Sequence, residues 1–115
     1  MAPEVVDWLL GLPDDDFGFV AYHIDLLQQL GAHLGDPYVR RLRGPVRVLR
    51  LHLGTRAYGI THILTATGRI ALLTVVREDG RVDESDVERA LVTMQGCVSA
   101  GWLPPGSEER DLATA

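Results

Sequence analysis

Val46-Arg47-Val48-Leu49-Arg50-Leu51-His52-Leu53 is the stretch that decides the fold. Leu49, Leu51 and Leu53 fall on one side of an extended chain, and Val48, Arg50 and His52 fall on the other. Such alternation marks a strand with one buried face. Gly54-Thr55-Arg56 reads as a turn, and Ala57 to Ala66 is rich in the Ile, Thr and Tyr that strands favour. Thr67-Gly68 turns the chain again. Arg69 to Arg77 is then almost continuously apolar, as expected for the buried middle of a sheet.

Helical spacing takes over on both sides of this block. Pro3 to Leu12 carries a stripe of Val5, Val6, Leu9, Leu10 and Leu12 with Trp8 beside it, and Pro3 suits a first helical turn. Asp14, Asp15 and Asp16 open a second helix, where acids complement the dipole, and Phe17, Val20, Ala21, Ile24, Leu27 and Leu30 follow its period. Asp36-Pro37 closes it. Downstream of a turn at Glu78-Asp79-Gly80, Asp83 is a good N-cap with Asp86 three residues on. Val87, Ala90, Leu91, Met94 and Val98 form the buried stripe of a last helix. The order predicts an α+β fold: two N-terminal helices, an antiparallel sheet of about three strands and a C-terminal helix. The helices are expected on one face of the sheet, leaving the other partly open. Residues 1–103 form the single expected domain, and the polar 104–115 segment is expected to be a disordered tail.

The 115 residues suit one hydrophobic core. No apolar run reaches the ~20 residues of a membrane span, and Met1-Ala2-Pro3-Glu4 has no basic residue for a secretory signal. Cys97 is the one cysteine, so no internal disulfide forms and no metal-ligand spacing exists. These features lead us to expect a soluble cytoplasmic protein with no metal and no cofactor. The net charge of −5 hides a segregation. Residues 1–39 hold seven acids and no Arg or Lys, residues 40–77 hold eight Arg and no acid, and residues 78–115 hold nine acids and three Arg. A basic block between acidic flanks attracts phosphate or an acidic partner, or is neutralised by those flanks within one fold.

Several fragments, taken in order, carry a family likeness: Leu42-Arg43-Gly44, Val48-Leu49-Arg50, Gly54-Thr55-Arg56-Ala57-Tyr58, Ile70-Ala71-Leu72-Leu73-Thr74-Val75-Val76-Arg77 and Val87-Glu88-Arg89-Ala90. From about Pro3 to Cys97 the chain resembles the phage-derived, HigB-like branch of the RelE/ParE toxin superfamily. The resemblance implies the toxin of a type II toxin–antitoxin module, a ribosome-dependent endoribonuclease that cuts mRNA. It also implies a cognate antitoxin, often of helix-turn-helix type, as partner. The alternatives are a catalytically degenerate binding protein of the same fold, or a ParE-like gyrase inhibitor. By the same resemblance Arg50, Arg56 and Arg77 match cationic positions of the family. Gly59 stands where the family carries an Arg, His62 where it carries a Tyr, and Glu78 where it carries a Lys.

RNA cleavage by this route needs a 2′-hydroxyl deprotonated, a phosphorane stabilised and a 5′-oxygen protonated. Arg stabilises phosphate charge with its fork, and His moves protons near neutral pH. The expected catalytic set is therefore Arg50, His52, His62 and Arg77, gathered on the open side of the sheet. Arg40, Arg41, Arg43, Arg47, Arg56 and Tyr58 are the expected RNA- or partner-binding residues. Trp8 and Trp102 are expected to be core or tail anchors, Cys97 a buried structural thiol, and His23 and His33 solvent-facing residues of the second helix.

Overall fold

The computed structural model describes residues 2–35, 38–65, 69–77 and 83–99. The turns at 66–68 and 78–82, Asp36-Pro37, Trp102, the tail and the Cys97 side chain lie outside the described residues. Helices α1 (Pro3–Leu10) and α2 (Asp14–Leu30) lead, by way of a short 3₁₀ turn, into strands β1 (Val39–Arg43), β2 (Val46–Leu53), β3 (Arg56–Leu64) and β4 (Ile70–Arg77), and helix α3 (Glu84–Ser99) follows. The strands form one antiparallel meander in the order β1-β2-β3-β4. The fold is α+β, as the sequence predicts, with four strands rather than three. The added strand is β1, in the basic stretch between the second helix and Val46, where the sequence pattern predicts no strand. Its alternation is broken by a register shift between Arg41 and Arg43.

Two hairpins fix the register. Gly44 and Gly54 hold φ of 55° and 64°, and each is the first central residue of a two-residue turn, where the backbone favours glycine. The second turn pairs Leu53 with Arg56, so Leu49 faces Ile60 and Arg47 faces His62. A bulge in β4 sets Thr61 opposite Thr74 but His62 opposite Leu72. It is held by the Thr74 N–H donating to Thr61 Oγ1 (3.0 Å) and by a bond between the two hydroxyls.

Both faces of the sheet are covered, which corrects the expectation of one open side. Leu49, Leu51, Ile60 and Leu72 pack against Val5 and Leu9 of α1 and Val20, Ile24 and Leu27 of α2. The alternate residues Val46, Ile63 and Leu73 pack against Ala90 and Met94 of α3. The reason is the apolar run 70–77, which supplies side chains to both faces. Helix α3 starts on the expected reciprocal cap: the Asp86 N–H donates to Asp83 Oδ1 (3.0 Å) and the Asp83 N–H to Asp86 Oδ2 (3.3 Å). These bonds, with the Ser85 hydroxyl contributing most, hold the Asp83 carboxyl below its usual range. No helix among the described residues is long and apolar enough to cross a membrane.

Candidate functional site

The sheet divides the expected catalytic set between its two faces. Arg50 and His52 lie on the side of Val46 and Val48, half-buried and exposed respectively. Directly across from Arg50 is Gly59, and beyond Gly59 is Val76. His62, opposite Arg47, and Arg77, opposite Tyr58, belong to the other side, with Leu49 and Leu51. His62 is 1% exposed, and its Nδ1 lies 3.1 Å from the Ile60 carbonyl, to which it donates. Burial, aided by the nearby Arg47 guanidinium and partly offset by that hydrogen bond, lowers its pKa to about 4. A ring that is neutral at pH 7 and closed to solvent cannot meet a substrate, so the expected grouping of His62 with Arg50 does not hold. Arg77 is exposed at the end of β4.

The expected binding residues scatter likewise. Arg43 pairs with Glu84 and Glu88 of α3. Arg47 is 8% exposed, and burial together with its cross-strand neighbour Arg41 lowers its pKa. Tyr58 stacks on Trp8 with ring centres 5.4 Å apart, which makes Trp8 the expected core anchor. Arg41 and Arg56 are exposed and Arg40 is half-buried.

What the structure does bring together is a cleft at the edge of the sheet. The Arg50 N–H donates to the Tyr38 carbonyl (2.7 Å), the last bond before β2 runs on past the start of β1. Beside this edge, unpaired among the described residues, stands α2. A cleft of about 260 Å³ between them is lined by Phe19, His23, Tyr38, Arg50, Leu51 and His52. Phe19 and His23 stack at 4.4 Å, and His23 and Tyr38 lie 6.3 Å apart. The His23 Nδ1 donates to the Phe19 carbonyl (2.8 Å), which leaves Nε2 as the acceptor of the neutral ring. His23 is half-buried rather than solvent-facing, whereas His33 is exposed as expected.

Sequence reasoning missed Phe19, His23 and Tyr38. Phe19 and His23 are four apart and so share a helix face, but only the tertiary fold brings them to Tyr38 and β2. A signal for the true side of His62 was present. Read as a two-residue turn, Gly54-Thr55 puts His62 on the Leu49 side, whereas a three-residue turn flips the whole strand. Among the described residues no group of His, Cys, Asp and Glu side chains could hold a metal ion. No protein-family model, curated protein or solved structure matches the chain.

Proposed function

We propose that the chain is the toxin of a type II toxin–antitoxin module and cleaves mRNA on the ribosome in the cytoplasm. The observation that carries this reading is the edge cleft, which Arg50 and His52, two of the four residues nominated from sequence, line together with His23 and two aromatic rings. The order of elements and the fragments quoted above support it. In this reading Arg50 stabilises the pentacoordinate phosphate through its guanidinium fork, and exposed His52 exchanges the proton. Buried His62 takes no part. The cognate antitoxin, ribosome and mRNA are the proposed partners.

One observation favours a second reading, a non-catalytic binding protein on the same fold. Gly59 is buried directly across from Arg50, at the place where the resembled family carries a cation, so no charge reaches the phosphate from there. Expression without an antitoxin, combined with a ribosome-dependent cleavage assay, separates the two. The toxin reading expects arrested growth, reduced translation and cut mRNA. It also expects Arg50→Ala to lower cleavage roughly 100- to 1000-fold, as for loss of one preorganised donor. Normal growth with intact mRNA would leave the binding protein.

A further inference from the structure

We propose that the open edge of β2 at His52 is a nucleobase-reading subsite, where the His52 backbone N–H and C=O bond the edge of one unstacked RNA base and Tyr38 and Phe19 offer its flat face a ring. The proposal rests on the RNA-cleaving reading above and deepens it, since it assigns the source of base preference.

The strand geometry directs those two groups. Arg50 gives its N–H to Tyr38 on the β1 side, and backbone direction alternates along a strand. His52, two residues on, therefore turns both its N–H and its C=O the same way, while Leu51 and Leu53 bond to Tyr58 and Arg56 of β3. β1 does not reach this far: its pairing with β2 begins at Val39 and Leu49. Among the described residues nothing takes up the His52 pair. A donor and an acceptor side by side, in an order that the strand fixes, match some base edges better than others, and unstacked RNA bases are recognised by such edge bonds together with aromatic stacking. Tyr38 and Phe19 stand in the same cleft 45% and 43% exposed, so both rings are open to a ligand there. The cleft, at about 260 Å³, is below the ~300 Å³ at which sites for drug-sized ligands begin, which suits a single base. Arg50 adds positive charge for the attached phosphate. A peptide joining the sheet as an extra strand fits less well. It would need a row of outward-facing residues, and β2 offers one past Tyr38 before the turn at Gly54.

The test is titration of the ¹⁵N-labelled full chain with the four ribonucleoside 5′-monophosphates, followed by NMR. The expected result is saturable movement of the His52, Leu51 and Tyr38 amides, with affinities that differ among the bases. Tyr38→Ala should weaken binding roughly 5-fold or more, the loss of one stacking partner. His52→Pro removes the outward N–H together with the imidazole, and His52→Ala removes the imidazole alone. At an edge position the first should abolish the differences among bases and the second should keep them, while the rest of each spectrum stays unchanged. Identical binding of all four nucleotides, Tyr38→Ala binding as well as wild type, or shifts induced by an acidic peptide and not by nucleotides would overturn the subsite. A parallel ribosome-dependent cleavage assay keeps the two proposals apart. Cleavage without shifts at His52 removes the subsite and leaves the toxin. Base-selective shifts without cleavage leave the subsite and remove the nuclease.

Discussion

At the residue scale, His62 has a measurable consequence. Its ring is enclosed beside Arg47, and burial holds its pKa at about 4 against an ordinary value of 6.5. Between those values the unfolded chain binds a proton that the native state refuses. Stability is therefore complete above about pH 6.5 and falls as the pH drops toward about 4. A shift of that size corresponds to a loss on the order of 3 kcal/mol. Urea midpoints measured from pH 7.5 to 4 should fall for wild type, and the fall should be much smaller for His62→Gln. Equal slopes for the two proteins would show that His62 does not govern the acid limb. The same residue shows what the sequence could and could not tell. Strands β2, β3 and β4 and the place of Arg50 beside His52 were legible from alternation, strand-favouring residues and an apolar run, whereas β1 was not. The side occupied by His62 depended on one residue in the length of a turn. Phe19 and His23, which line the cleft with His52, were not legible because α2 and β2 meet only in the folded molecule.

At the scale of elements, the outer edge of β4 is managed by two helices at once. The Val75 N–H donates to Glu4 of α1 (2.8 Å), Arg89 of α3 donates to the Val75 carbonyl (2.9 Å), and Glu4 and Arg89 pair with each other. The Ala2 N–H donates to the Leu72 carbonyl further along the same edge (2.9 Å). An uncovered edge strand is a template for pairing with another chain. The sequence did not show this clamp, because Glu4 and Arg89 are 85 residues apart and each reads as an ordinary exposed helical charge. Both side chains are two-fifths exposed, so the ion pair itself contributes at most about 1 kcal/mol. Its larger effect is on association. Glu4→Ala should leave the far-ultraviolet spectrum unchanged and raise the tendency to dimerise, read as mass by light scattering over a concentration series. A strictly unchanged mass up to high concentration would mean that the N-terminal segment alone protects the edge.

At the scale of the whole molecule, the segregation of charge along the chain becomes a partial neutralisation in space. Glu84 and Glu88 of acidic α3 meet Arg43 of basic β1, and Arg89 of α3 returns to Glu4 of acidic α1. Arg47 is buried. The basic block is thus a smaller target for phosphate than its eight Arg suggest. Arg41, Arg56, Arg69 and Arg77 are exposed, and Arg50 lines the cleft. If about five phosphates are engaged, affinity for single-stranded RNA should fall with salt along a log–log slope of roughly −3.5. A count that included Arg43 and Arg47 would steepen it to roughly −5. Binding to a short oligoribonucleotide, measured from low to moderate potassium chloride, gives the slope directly, and Arg43→Ala refines it. That variant should leave the slope unchanged if α3 keeps Arg43 engaged. A shallower slope for Arg43→Ala would mean instead that Arg43 leaves Glu84 and Glu88 for the RNA, and α3 would have to yield its hold on β1 each time RNA binds.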